Sequence, residues 1–450
     1  MVNRGPRQNR MIWARPSGAS AAPLIMLAAA LCTLLFNPFG LQAALVARLL
    51  AAYAGAAPYH AGSPLFPFHL AEGGWLLAFG AGALWLRRYG LVWCGLAIAV
   101  GIAGAVWGGW VLFLKFAILL DSATTGVGLA LVFVAAALAW AMKLGMVRIS
   151  LRQAFANSLP HASIEKIART PSLLKSDGEL RECSYLVCGV RGLAGLGSAF
   201  QDEPTTFTRL MQQVVTPLLD QALAHGGTID RLTPDGFAAF WNAPLDDPNH
   251  AIHACEAASS MSITARRVSD ELVQWRRANG QLLPIVEIGV GVATGRVIAG
   301  GFGGHGRMGY SVNGEAVSLA SRIQALSHQY GPALIVSAAT RQAAERNFAF
   351  LEIDTVATGA SDPPVTLYAI LGNSGVKASP KFRALTTFHD HIFQSLRKQQ
   401  WHQARALIEQ CRRLSGASPR LYDLHLKRVG YFEHNPPGEN WDGAFRPILK

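Results

Sequence analysis

The chain has 450 residues, room for roughly two or three folding units, and is 51% hydrophobic but only 15% charged. A soluble domain usually carries about 25% charged residues, so an ordinary water-soluble enzyme is excluded. The net charge of +12 comes without any basic cluster interleaved with stacking aromatics, which argues against nucleic acid as a partner.

The apolar excess lies between about Ala21 and Ala141. A membrane span needs about 20 apolar residues, because the hydrocarbon core is about 30 Å thick and a helix rises 1.5 Å per residue. Four candidates follow in order: Ala21–Phe36, Gly73–Leu86, Leu91–Leu114 and Thr125–Met142. Gly101, Gly104 and Gly108 would let neighbouring helices approach, and Trp75, Trp85, Trp93 and Trp140 fall near span ends, where an amphipathic ring is stable. Arg4, Arg7, Arg10 and Arg15 precede the first span, Arg87 and Arg88 separate the second and third, and Lys143, Arg148 and Arg152 follow the fourth. An even number of crossings puts all of these on one side. The expectation is a multi-pass inner-membrane protein with a cytoplasmic N-terminus, 1–20, and a cytoplasmic second half. A cleavable signal peptide is the alternative reading of the first span. Lys115 and Asp121 read as boundary residues that snorkel to the interface, with functional intramembrane charges as the alternative. The six cysteines show no CxxC pair and read as free thiols in a reducing compartment.

After the membrane region, 21–145, residues 146–180 read as a juxtamembrane linker helix. The next domain, 181–371, alternates strand and helix. Cys183–Val190 reads as a strand, and Pro204–His225 has helical spacing of apolar residues. Thr228–Leu232 and Phe237–Trp241 form a hairpin around Thr233-Pro234-Asp235-Gly236. A helix over Pro248–Asn279 is followed by strands at Val286–Val292 and Arg296–Ala299. Gly301-Phe-Gly-Gly-His-Gly306 lacks the following Lys-Ser/Thr of a phosphate cradle and reads as a hairpin loop. A helix at Gly314–His328 and strands at Leu334–Val336 and Val365–Ile370 complete the series. This order predicts an α+β fold with a ferredoxin-like βαββαβ core. The tail, 372–450, reads as short amphipathic helices, and its Trp401-His-Gln-Ala-Arg-Ala-Leu stretch resembles one helix pair of a tetratricopeptide-type repeat. One such unit is too few to stand alone, so it is expected to cap the domain before it.

Several segments together resemble the class III adenylate/guanylate cyclases. These are Ala154-Phe155, Gly178-Glu-Leu-Arg-Glu182, Val190-Arg191-Gly192, Gly226-Gly-Thr-Ile-Asp-Arg-Leu-Thr-Pro-Asp235, Ala239-Phe-Trp-Asn-Ala-Pro244, Ile288-Gly-Val-Gly-Val-Ala-Thr-Gly295 and Tyr310-Ser-Val-Asn-Gly-Glu-Ala-Val-Ser-Leu-Ala-Ser-Arg322. The flanks, including Pro436-Pro-Gly-Glu-Asn-Trp-Asp-Gly443, are similar to membrane-anchored bacterial cyclases that carry a CHASE-type sensor. Here only residues 37–72 stand where that sensor would be.

The resemblance implies a dimer of heads, with itself or with another cyclase head, that converts ATP to cyclic AMP and pyrophosphate. In the family two aspartates hold two Mg²⁺ or Mn²⁺ ions, which make the 3′-hydroxyl nucleophilic and neutralise phosphate charge. The partner head supplies a base-reading Lys with an Asp or Thr, an Asn on the ribose and an Arg on the phosphates. Carried over by position, the first metal aspartate is Gly189 and the second is Asp235. The base-reading pair is Arg231 and Ser311, the ribose position is Ser318, and the phosphate arginine is Arg322. Glu182 and Asp202 lie outside the strand position that converges with Asp235. Glycine offers no side-chain oxygen to a cation that demands near-octahedral oxygen ligation. The resemblance therefore implies a pseudo-cyclase: a dimerising, regulatory head in cyclic-nucleotide signalling. The alternative is an active but impaired adenylate cyclase.

Overall fold

The computed structural model describes residues 22–36, 70–116, 120–155, 158–170, 178–191, 200–279, 286–304, 307–357, 363–413, 418–438 and 441–445, with isolated positions between them. The basic segment 1–20, most of the segment 37–69, Gly192, and His305 with Gly306 lie outside the described residues. The chain divides into two compact units, Met1–Leu151 and Arg152–Lys450.

The first unit contains α1 (Ala22–Phe36), α2 (Leu70–Leu86), α3 (Leu91–Phe116) and the start of α4 (Ser122–Phe155). Leu27, Leu76, Cys94, Ile98, Leu129 and Val132 form its core. The indole N–H of Trp75 donates to the Gly101 carbonyl at 2.8 Å. A Cβ on Gly101 would stand 2.8 Å from Phe79 and one on Gly104 would stand 2.6 Å from Trp75, so both glycines admit α2, whereas Gly108 faces open space. Val92, Val100, Trp107, Leu114, Val134 and Leu138 are exposed.

Two of the four expected spans have the necessary length. Among the described residues, Leu91–Phe116 and Ser122–Met146 are long and apolar enough to cross a membrane. Helices α1 and α2 have 15 and 17 residues, or roughly 22 and 25 Å, against a core of about 30 Å. Asp121 also departs from expectation. It is 0% exposed rather than reaching for an interface, because it caps α4 through a bond from the Thr124 N–H at 2.9 Å.

Among the described residues, the second unit is built on one mixed sheet of eight strands: β1 (Glu179–Arg191), β2 (Thr228–Thr233), β3 (Gly236–Trp241), β4 (Glu287–Gly304), β5 (Arg307–Asn313), β6 (Leu334–Ser337), β7 (Phe348–Val356) and β8 (Val365–Asn373). The strand order is β2-β3-β1-β4-β6-β8-β7, with β5 pairing β4. Within β1 to β4 every pairing is antiparallel. Helix α5 (His161–Arg169) precedes β1, α6 (Pro204–Ala224) connects β1 to β2, and α7 (His250–Asn279) connects β3 to β4, which is the βαββαβ connectivity.

Alternation decides which side chains meet which helix. Leu186, Cys188 and Val190 of β1 share a core with Leu210, Val214 and Leu218 of α6 and with Met261 of α7. The alternate positions meet α8 (Glu315–Tyr330), which packs on the other face. That face is floored by glycine. A Cβ on Gly291 would stand 2.3 Å from the Ala320 carbonyl oxygen, and one on Gly289 would stand 2.3 Å from Ser327 Oγ. Only bare backbone lets α8 come this close.

Three expectations at strand level change. The two strands expected over 286–299 are one continuous β4, held extended through Ala293, Thr294 and Gly295 by pairing with Tyr185, Ser184 and Cys183. The glycine run at 301–304 is strand rather than loop, since Gly301 pairs with Tyr310 and Phe302 with Gly309. β7 was not expected at all. Beyond the sheet, α9 (Ala338–Ala344), α10 (Ser374–Ala378), α11 (Pro380–Arg397), α12 (Trp401–Arg412) and α13 (Pro419–His434) complete the unit. The tail helices lie against β7 through buried polar contacts. Arg428 and Tyr330 both donate to Asp354, Arg428 at 2.5 Å, and the Arg428 guanidinium sits 3.8 Å over the Phe445 ring.

Candidate active site

The register of β1 against β3 brings Gly189 opposite Gly236, and the Asp235 carbonyl accepts the Val190 N–H at 2.6 Å. Asp235 is exposed at the tip of the β2–β3 hairpin. A Cβ on Gly236 would lie 2.0 Å from the Cys188 carbonyl oxygen, so the turn needs glycine there to reach β1. Two positions far apart in sequence thus stand side by side, one with a carboxylate and one without.

The space beside Gly189 is taken by a residue the sequence did not single out. A Cβ there would stand 2.1 Å from Nε2 of Gln324, on α8. The nearest signal in the sequence was Arg322, two residues earlier on the same helix. An amide in this place is neutral, so the negative charge is not replaced. Glu182 cannot substitute. It precedes Gly189 by seven residues on one extended strand, roughly 23 Å at about 3.3 Å per residue, and pairs with Arg296. Asp202 lies exposed in the turn before α6.

Arg231 and Ser311 are brought together around Asp230, a second residue to which sequence reasoning gave no role. The Tyr185 hydroxyl donates to Asp230 Oδ2 at 2.6 Å, and Ser311 Oγ donates to Oδ1. Burial and then the Asp230 carboxylate push the Tyr185 phenol well above its ordinary value, while Arg231 opposes them. Tyr185 therefore stays a donor. Ser311 spends its proton on Asp230 and presents lone pairs only. Ser318 and Arg322 are exposed one turn apart on α8, so they share a face.

These residues do not fit a pair of divalent cations. A two-ion site places the metals about 3.5–4 Å apart, where two double charges repel by roughly 17–19 kcal/mol at an effective dielectric of about 20. Bridging carboxylates offset that repulsion. At Gly189 and Asp235 one remains. Among the described residues no group of three or more His, Cys, Asp or Glu is placed to hold a metal.

No family model matches the chain. Among curated proteins it is 30% identical over 149 residues to adenylate cyclase 1 of Rhizobium meliloti (strain 1021), an alignment covering 33% of this chain and 22% of that protein. It is 28% identical over 193 residues to an adenylate cyclase of Anabaena cylindrica, covering 42% and 37%. An uncharacterized protein of Mycobacterium tuberculosis (strain ATCC 25618 / H37Rv) is 32% identical over 160 residues, covering 35% and 26%. The chain thus spans only 22% to 37% of the length of these relatives. Among solved structures, a guanylyl cyclase is 26% identical and covers 44% of this chain and 94% of its own, with a TM-score of 0.39. An adenylyl cyclase from P. aeruginosa is 25% identical, covers 43% and 95%, and has a TM-score of 0.39. Over 33% to 42% of its length, this chain is similar in sequence to proteins named adenylate cyclase.

Proposed function

We propose that this is a nucleotide-cyclase homologue whose head no longer cyclises, carried on a membrane anchor as a dimerising regulatory subunit. The observation that carries the reading is Gly189, which stands beside Asp235 with the Gln324 amide in the space a carboxylate would need. The second half-site is altered too. Arg231 offers a planar fork where a point donor is expected, and Ser318 lacks the carboxamide that would reach a ribose. Each site of a dimer draws on both sets, so pairing with a complete head leaves one defective contribution at either site.

The apolar, exposed flanks of α3 and α4 support a membrane anchor. The basic residues at 4–15, 87–88 and 143–152 support several crossings with the N-terminus and the head in the cytoplasm. A homodimer, or a heterodimer with another cyclase head, is the assembly this reading requires. The retained Asp235 and Arg322, both exposed, favour a second reading in which ATP is still turned over slowly to cyclic AMP.

The test is turnover by the purified full chain in detergent with ATP and Mn²⁺, the more permissive of the two ions. No cyclic product above a protein-free control is expected. Product that disappears in Asp235→Ala would establish the second reading instead.

A further inference from the structure

We propose that the N-terminal ends of α2 and α4 enclose a site for a small monovalent cation, Na⁺, in the apolar unit. This inference is independent of the reading of the head.

Buried side-chain oxygens without a hydrogen-bond partner concentrate at one place among the described residues. Asp121 Oδ2, Ser122 Oγ and Thr124 Oγ1 all belong to that set. Their residues are 0%, 2% and 6% exposed, which shuts out bulk solvent. A buried polar atom is almost always paired, and a group of unpaired ones points to a bound water or ion. The nearby backbone N–H groups and the Thr125 hydroxyl are already committed. The Thr124 N–H donates to Asp121 Oδ1 at 2.9 Å, and the Thr125 hydroxyl donates to the Asp121 carbonyl at 2.9 Å. The Asp121 N–H donates to Glu72 Oε1 at 3.1 Å, which brings a second buried carboxylate, in the first turn of α2, to the same spot. What remains around Asp121 is carboxylate charge and two hydroxyls without a partner, whose lone pairs can turn toward a cation.

The donor set selects the class of occupant. All candidate ligands are oxygen, so Zn²⁺ and the softer transition metals, which favour nitrogen and sulfur, do not suit it. Ca²⁺ takes six to eight oxygens and Mg²⁺ a near-ideal octahedron, more than one carboxylate oxygen, two hydroxyls and a flanking glutamate supply. Na⁺, whose coordination bound water can complete, matches in charge the Asp121 carboxylate, whose Oδ2 has no partner. The N-terminus of α4 already compensates Oδ1 through the Thr124 N–H, which leaves Oδ2 for the ion. Ionisable groups this deep beside membrane-length helices mark functional positions more often than packing positions.

The probe is Na⁺ itself, added as chloride to the full chain in detergent micelles. Thermal unfolding would be followed by tryptophan fluorescence in NaCl, KCl and choline chloride at equal ionic strength. NaCl is expected to raise the midpoint above choline chloride, with the increment saturating as NaCl is added. Asp121→Asn should abolish the increment, and Ser122→Ala/Thr124→Val should weaken the apparent Na⁺ affinity by at least about tenfold. The double variant keeps Asp121, so it remains informative where Asp121→Asn does not fold. Equal midpoints in all three salts, or an Na⁺ increment that survives in the double variant, would overturn the proposal. So would stabilisation by acid alone without discrimination among cations, which would make the occupant a proton.

Discussion

On the proposed reading, the missing carboxylate at Gly189 is what keeps this site from holding two divalent ions. At Gly189 the loss is compounded by Gln324, whose amide would meet a new Cβ at 2.1 Å. The clash is with the far end of a flexible side chain rather than with backbone, so it can be relieved. This makes the repair predictable. Gly189→Asp alone is expected to give little product, because the new side chain must first displace Gln324. Adding Gln324→Ala and Ser318→Asn should raise Mn²⁺-dependent cyclic AMP formation above that of the unmodified chain. A triple variant with intact circular dichroism and no product would show that the defect lies elsewhere. Gly236 allows no such repair, since its missing Cβ points at the Cys188 carbonyl oxygen.

At the scale of elements, the seam between the tail and β7 is held by buried polar groups. His389 is 2% exposed. Its Nδ1–H donates to the Glu352 carbonyl at 2.9 Å, and the Tyr422 hydroxyl donates to Nε2 at 2.8 Å. Burial lowers its pKa from 6.5 to about 4, opposed by the Glu352 carbonyl and reinforced by His425. The unfolded imidazole therefore takes up a proton at a higher pH than the folded one. The seam is at full strength above about pH 6.5 and weakens as pH falls toward 4, by up to about 3 kcal/mol. Hydrogen exchange of β7 and α11 amides should speed up on going from pH 7 to 4.5, after correction for intrinsic rates, and His389→Asn should reduce the pH dependence. Unchanged protection across that range would contradict the assignment. Breaking the buried Arg428–Asp354 pair is costly in the same way, about 3–5 kcal/mol, because one charge stays behind.

This seam was hardly legible in the sequence. The tail read only as short amphipathic helices, with no role for His389, His425 or Arg428, and only the fold reveals that the Glu352 and Ile353 carbonyls and Asp354 wait for them. β7 was missed for a related reason, since its Glu352 and Asp354 interrupt the apolar run. The helices and the central hairpin were legible because their apolar spacing and turn residues are local signals. Gly189, Asp235, Arg231 and Ser311 were located by motif. Their neighbours Gln324, Tyr185 and Asp230 matter through space and carry no local signature.

At the scale of the whole molecule, the two units present different problems of charge. In the apolar unit, Asp121 is enclosed where a charge must be compensated. In the sheet unit, the sheet order, the α8 face floored by glycine and the hairpin tip set Gly189 and Asp235 side by side. Loss of one carboxylate does not disturb this scaffold, because glycine at 189 suits the close approach of α8 as well as any residue would. Fold and chemistry are therefore separable here.

The most direct measurement is the number of Mn²⁺ ions bound by the unmodified full chain in the presence of a non-cyclisable ATP analogue, counted by electron paramagnetic resonance of the free ion. Fewer than two per site are expected, with no second ion at millimolar Mn²⁺. Two tightly bound ions per site, both lost in Asp235→Ala, would contradict the account.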